Sequence, residues 1–258
     1  MRRLTQAARQ RDEAGEPLPV VFPTLAKMDA SFRRAQSHLV AGAPGAGKSV
    51  LARTLAVRAQ VPALYFSPDG DEYTVLTSIA SMVSGDSISL ITARCPGPVD
   101  VLTEYPQVYD SDSYLRFDFT PAPSISDIRD EVAAFEESWG EFPQLIVIDS
   151  LRNIFSEADE YTAMRQSMES LTILARETGA CVVALHHLTG AWETDAGPPP
   201  LGAIEGKVSK FPSLVLTLYR GAYSDVGVAV VKNRFGPADF AGKHHAFFET
   251  DLSRARLI

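Results

Sequence analysis

Cysteine is nearly absent from this chain. Cys95 and Cys181 are the only two, too few for a disulfide framework and in no metal-ligand spacing. A reducing, cytoplasmic compartment is therefore the expectation. Long apolar runs are missing as well. None approaches the ~18 residues that cross a bilayer, so no membrane is expected among the partners, and the opening MRRLTQAARQRDEAG lacks the apolar core of a signal peptide. No internal repeat is present, which sets aside solenoids and propellers. Positive charge is in deficit, with a net charge of −8. That argues against a protein that coats itself in nucleic acid. The deficit is uneven: residues 1–34 carry +3, 35–200 carry −14 and 201–258 carry +3, so basic ends flank an acidic middle. Charge alone fits a solvated surface as well as a localised basic face.

What remains is a globular composition, 45% hydrophobic and 22% charged over 258 residues, enough for one substantial core. Its sharpest signal is LVAGAPGAGKSVLARTLA, residues 39–56. Apolar Leu39-Val40-Ala41 leads into Gly42, Ala43, Pro44, Gly45, Ala46, Gly47, Lys48 and Ser49, and then into a helical pattern. This is G-x-x-x-x-G-K-[ST] between a strand and a helix. Glycines let several backbone N–H groups converge on one phosphate, and the helix N-terminus adds partial positive charge. Lys48 would reach the β- and γ-phosphates of ATP, and the Ser49 hydroxyl would take a Mg²⁺ position.

Strand candidates follow at regular spacing: 38–41, 63–67, 115–119, 144–149, 181–187, 213–219, 226–233 and 244–249. Most are short apolar runs with little alternation, as in parallel strands buried on both faces. Helical patterns lie between the first five, at 76–83, at 125–139 with Ser126 or a nearby polar residue as cap, and at 161–178 with Gly179 as a stop. Pro96-Gly97-Pro98 and residues 197–202 read as loops. The last three strands leave no room for helices between them, so an antiparallel edge is expected. The fold class is α/β, a mostly parallel twisted sheet with helices on both faces and a C-terminal antiparallel extension.

Three strand ends carry chemistry. PQLIVIDSL (143–151) is a buried strand ending in Asp149, where a carboxylate beside the P-loop would hold Mg²⁺. LYFSPDGDEY (64–73) ends in Asp69, Asp71 and Glu72, any of which could orient water against the γ-phosphate. CVVALHHLTG (181–190) places His186 and His187 at a strand terminus. Successive strand residues face opposite ways, so at most one of them would sense phosphate.

The order of these pieces resembles the RecA-like P-loop NTPase core of DnaB-type ring replicative helicases and their phage relatives. TLAKMDASFRRAQSHLVAGAPGAGKS, YFSPDGDEYTVLTSIAS, LIVIDSL, VVALHHL, GAIEGKVSKFPSLVLTLYR and VVKNRFGP match its signatures in order over residues 24–250. The resemblance implies ATP hydrolysis with Mg²⁺ at subunit interfaces of a homo-oligomer, a hexameric ring, acting on single-stranded or forked DNA in the host cytoplasm if the chain is phage-encoded. By position it implies Asp69 as the water-orienting acid, where the family usually has the longer Glu. It implies His187 as the γ-phosphate sensor, and Lys232 and Arg234 as a basic pair reaching into the neighbouring subunit's site.

The resemblance also implies DNA contacts from loops at about 152–161 and 190–207, through Arg152, Lys207 and, just beyond the second loop, Lys210. Those loops also hold Glu157, Asp159, Glu160, Glu193 and Asp195, poor electrostatics for tracking phosphates. Residues 1–23 are expected to form an N-terminal arm or linker helix and 24–258 the ATPase domain, with no primase or full collar ahead of it. The leading reading is thus an ATP-driven DNA helicase. A RecA/RadA-like recombination ATPase stands second, and a KaiC-like regulatory ATPase with a protein partner stands third. A small-molecule kinase would leave residues 202–250 unexplained.

Overall fold

Six parallel strands form the centre of the computed structural model, which describes residues 15–192, 197–221 and 225–257. A short helix α1 (Pro23–Lys27) precedes strand β1 (Ser37–Gly42), the P-loop and helix α2 (Lys48–Ala59). Then come β2 (Ala63–Phe66), α3 (Glu72–Ser84), α4 (Ile88–Arg94), α5 (Pro98–Glu104) and β3 (Leu115–Asp118). Helix α6 (Ile125–Trp139), β4 (Leu145–Ile148), α7 (Glu160–Thr178) and β5 (Cys181–His186) complete the alternating part. Strands β6 (Leu214–Arg220), β7 (Val226–Asn233) and β8 (His245–Phe248) follow, and a small ribbon of β9 (Thr250–Asp251) and β10 (Arg256–Leu257) ends the described chain.

The eight-stranded sheet has the order β3-β2-β4-β5-β1-β6-β7-β8. Strands β1, β2, β4 and β5 are buried at every residue, which is why their sequences run apolar without alternation. Side chains divide between two cores. Val40, Leu51, Leu55, Tyr65, Val147 and Leu185 pack on the α2 side. Leu39, Leu64, Ile146, Ile148, Ala184 and Leu171 pack with α6 and α7 on the other.

The antiparallel edge expected from sequence consists of β7 and β8. Strand β6 departs from it by lying parallel to β1, turning antiparallel only towards β7. The stretch from 187 to 213 is long enough for a parallel crossover, but its described residues form short 3₁₀ turns rather than a helix. That absence of helical periodicity hid the crossover. The loop expected at Pro96–Pro98 instead starts α5, with Gly97 at the N-cap and proline inside the first turn, where its missing N–H costs nothing. Helix α6 is capped by Ser124 rather than Ser126. The Ser124 hydroxyl accepts from the Asp127 N–H while Asp127 accepts from the Ser124 N–H, a reciprocal pair that puts Ser126 inside the first turn.

Residues 15–22 lie against the core. The Leu18 N–H donates to the Phe32 carbonyl at 2.8 Å and the Arg34 N–H to that of Glu16 at 2.8 Å, and Leu18 and Phe22 are buried. Residues 1–14, the first part of the expected arm, lie outside the described residues, as do Glu193 and Asp195 of the second candidate DNA loop. Among the described residues no single helix is long and apolar enough to cross a membrane.

Two histidines are fully buried in this frame. The Arg33 N–H donates to His38 Nε2 at 2.9 Å, and His186 Nε2 sits 3.1 Å from the Glu205 carbonyl. Burial pushes both imidazoles down to about 4. In the unfolded chain they titrate near 6.5. Below that pH the unfolded state takes up protons that the native state refuses. Stability should therefore fall as pH drops from about 6.5 towards 4, by up to about 1.4 kcal/mol per pH unit for each ring. Urea midpoints measured from pH 7 to pH 5 should decline accordingly, and His186→Gln should remove about half of the slope. A midpoint flat across that range would contradict the burial argument.

Candidate nucleotide site

Strand order gathers the site. With β2, β4, β5 and β1 adjacent and parallel, the residues following each strand emerge on one edge of the sheet. In sequence those residues lie far apart; in the fold they stand in a row, in the order Asp69, Asp149, His187 and the P-loop.

The P-loop leaves β1 at Gly42, where an added Cβ would lie 3.0 Å from the Leu218 carbonyl oxygen and 3.2 Å from the Ala46 Cβ. Pro44 and Gly45 form the exposed tip, closed by the Ala46 N–H on the Ala43 carbonyl at 3.1 Å. Gly47 caps α2 with φ of +98°, a conformation open at little cost only to glycine. Lys48 begins α2 and is only 8% exposed. Its ammonium donates to the Gly42 and Ala43 carbonyls at 2.8 and 2.9 Å. Burial lowers the Lys48 pKa to about 8, and nearby Asp149 opposes that fall. Ser49 follows on the same first turn. Curled backbone, buried cation and hydroxyl form a donor set that fits a nucleotide triphosphate with its metal.

Asp149 follows β4, and the phenol of Tyr65 on β2 donates to its Oδ2 at 2.8 Å. Tyr65 is fully buried. Burial and the Asp149 carboxylate raise its pKa well above that of an ordinary phenol, so it remains a donor.

Of the three acids after β2, the structure separates the roles. Ser67-Pro68-Asp69-Gly70 is a turn closed by the Gly70 N–H on the Ser67 carbonyl at 3.1 Å, with proline and glycine where such turns favour them. An added Cβ on Gly70 would lie 2.3 Å from Ser67 Oγ. Asp69 projects from this turn, and its Oδ1 accepts from Asn153 Nδ2 at 2.7 Å. Asp71 is taken up as the N-cap of α3, accepting from the Thr74 N–H at 2.8 Å and the Thr74 hydroxyl at 2.5 Å. Those bonds hold its carboxyl below the usual range. Glu72 is the exposed first residue of α3.

His186 lies on the β5 face that packs with α6 and α7, in phase with Val182 and Ala184. His187 is in phase with Cys181, Val183 and Leu185, which pack on the P-loop helix side. The Glu205 N–H reaches the His187 carbonyl at 3.5 Å and Leu188 bridges Ile204, so the second candidate DNA loop returns directly onto this strand end.

Lys232 and Arg234 lie at the opposite end of the sheet. Lys232 pairs with Val215, which is beside Leu39, whereas Gly42 is beside Leu218. The pair is thus removed from its own P-loop by about 10 Å along the strands and about 10 Å across them. Lys232 Nζ donates to the Ser209 and Lys210 carbonyls at 2.7 and 2.9 Å, and Arg234 reaches the Lys210 carbonyl at 3.4 Å. Burial and Arg234 lower the Lys232 pKa to about 8.

The candidate DNA residues do not form one cluster. Arg152 is ion-paired with Glu160 at 2.6 Å, both side chains about half exposed. Lys207 is exposed, next to Gly206, where an added Cβ would meet Met164 and Tyr161 of α7 at 3.1 and 3.6 Å. The two loops therefore meet at the start of α7. Lys210 is drawn instead to the basic pair through its carbonyl, with its ammonium 5.6 Å from the Phe211 ring.

Sequence reasoning missed Tyr65 and Asn153. A tyrosine inside a wholly buried strand needs a partner for its hydroxyl, and that was the available signal for Tyr65. Asn153 carried none, because its partner is 84 residues away.

These features define an ATPase core of the P-loop, RecA-like class. Residues 18–254 match the model of the DnaB-like helicase C-terminal domain, and the chain belongs to that family. It is 35% identical over 253 residues to the Gene 65 protein of Mycobacterium phage L5, covering 93% of this chain and 91% of that one. It is also 34% identical over 220 residues to the Gene 65 protein of Mycobacterium phage D29, covering 82% and 94%. Among solved structures, a DnaB-like replicative helicase, described with its interactions with primase, superposes with a TM-score of 0.80 at 16% identity over 99% of this chain and 64% of its own. A separately solved ATPase domain gives the same TM-score of 0.80 at 16% identity, over 99% of this chain and 95% of that one. A KaiC-like protein from the hyperthermophilic archaeon Pyrococcus horikoshii OT3 gives 0.66 at 13% identity, covering 95% and 98%. The fold is shared across both groups, and the family model makes this a DnaB-like helicase-type ATPase domain with relatives in mycobacteriophages.

Tyr65→Phe should lower the unfolding free energy by about 1.5–3 kcal/mol, the worth of a hydrogen bond to a charged acceptor. Urea denaturation at pH 7 measures it. A variant as stable as the parent would mean that the phenol does not hold Asp149.

Proposed function

We propose that this chain is an ATP-driven motor on single-stranded DNA that hydrolyses ATP between copies of itself and separates duplex strands at forks in phage replication, in the host cytoplasm. The observation that carries this reading is the division of the charged machinery between opposite ends of the sheet. Lys48, Ser49, Asp149, Asp69 and His187 share one edge, while Lys232 and Arg234 sit at the other. A complete hydrolytic site then needs two copies, as a closed ring with head-to-tail interfaces provides.

Mg·ATP would supply the phosphoryl group and the cation that offsets its charge. Gly42–Gly47 would present backbone N–H groups to the phosphates, and Lys48 would exchange its carbonyl partners for phosphate oxygens. Ser49 and Asp149 would hold Mg²⁺, with Tyr65 fixing the Asp149 carboxylate. Asp69 would orient a water and accept its proton. His187 would donate to the terminal phosphate, and its backbone link to Glu205 connects that contact to the second loop. Lys232 and Arg234 from the next copy would bring positive charge to the departing phosphate. Strand contacts would come from Arg152 and Lys207 on the two loops that meet at α7.

A labelled strand should be displaced from a forked duplex by the wild type with Mg·ATP and not by Lys48→Ala. ATP turnover stimulated by DNA without displacement would favour a recombination ATPase. Turnover indifferent to DNA would favour a regulatory one. The shared site makes a second prediction. Lys48→Ala and Arg234→Ala should each reduce turnover at least about tenfold alone, yet mixing them should restore part of it, because some mixed interfaces pair an intact P-loop with an intact basic pair. No recovery in assembled mixtures would argue that Arg234 acts within its own subunit.

A further inference from the structure

The loop candidate for DNA contact and the candidate water-orienting acid are joined by one side chain. Asn153 closes the 3₁₀ turn Leu151–Asn153 that follows Asp149 and Ser150. Its Oδ1 accepts from the Ser150 hydroxyl at 2.8 Å and the Ser150 N–H at 3.3 Å, and its Nδ2 donates to Asp69 Oδ1 at 2.7 Å. The amide can adopt only this orientation here, since a carboxylate accepts and cannot donate to a carbonyl oxygen. Buried Leu151 and Ile154 anchor the turn on either side.

We propose that Asn153 is a positioning residue for Asp69 and the point through which strand engagement by the loop at 152–161 reaches the hydrolytic site. This rests on the motor reading above. Aspartate has a short side chain, and its direction here is set by the Ser67–Gly70 turn and by this donor. Arg152, the residue before Asn153, is held outward by Glu160 through an exposed pair of a kind worth little in water. A phosphodiester competing with Glu160 for that guanidinium therefore acts on the same three-residue turn that aims Asp69. Contact with DNA and the direction of the carboxylate are linked by one residue step.

The deciding variant is Asn153→Asp. It has the same shape and still accepts from Ser150, but it replaces the donor facing Asp69 with a like charge. With single-stranded DNA and Mg·ATP, kcat should fall at least about tenfold while KM stays within about twofold. The acid limb of the kcat–pH profile should move to higher pH, because two facing carboxylates take up a proton more readily than one. A purely structural role would move neither the limb nor kcat at constant KM. Turnover within about twofold of wild type and an unmoved limb would overturn the proposal while leaving the motor reading intact. A wild type without DNA-stimulated turnover would overturn the motor reading and this inference with it.

Discussion

Everything chemical in this protein depends on burying β4 and β5 on both faces. A strand with no exposed side can carry a polar group only where a partner meets it, as the Glu205 carbonyl meets His186 at the end of β5, because an unpaired polar side chain there would cost several kcal/mol. Polar chemistry is therefore pushed to the strand ends. Parallel pairing then places all the carboxyl ends on one edge, where the P-loop also emerges. The row from Asp69 to Lys48 follows from that burial.

Strand direction also explains why Lys232 and Arg234 lie far from the nearest P-loop. They leave an antiparallel strand, so their end of β7 lies at the opposite edge of the sheet. The bonds of Lys232 to the Ser209 and Lys210 carbonyls also give the pair a fixed base on the 3₁₀ segment Glu205–Lys210, whose first residue is bonded to the His187 carbonyl. The position of the basic pair and the position of the second loop are thereby set by one stretch of backbone.

Much of this was legible in the sequence, and the limits have physical causes. Apolar runs such as LIVI and CVVAL announced buried parallel strands, and the P-loop and Asp149 were fixed by local pattern. The capping role of Asp71 is also local, since Asp71-x-x-Thr74 before an apolar run is a helix start. Three acids crowding one strand end mask that signal and group Asp71 with the catalytic candidates. The parallel pairing of β6 was not legible, because its crossover lacks helical periodicity. Nor was the Arg152–Glu160 pair foreseeable as a pair. Both residues were visible, but an ion pair across a loop depends on how that loop closes against α7.

The least legible feature is the bracing of the two acids. Tyr65, on β2, donates to the acid that follows β4, while Asn153, after β4, donates to the acid that follows β2. Each carboxylate is thus aimed by the strand next door, and neither donor lies within reach along the chain. Such crossing is favoured by adjacency: β2 and β4 pair through Phe66 and Ile148, so their loops start a single strand spacing apart, about 4.8 Å. One acid with a buried phenol is fixed by the core and cannot easily move. The other, braced by an amide on a surface turn, can. The two braces are therefore unequal, with the immobile one on Asp149 and the movable one on Asp69, and the proposed motor uses that difference: a carboxylate held in place for the metal and one that strand engagement re-aims.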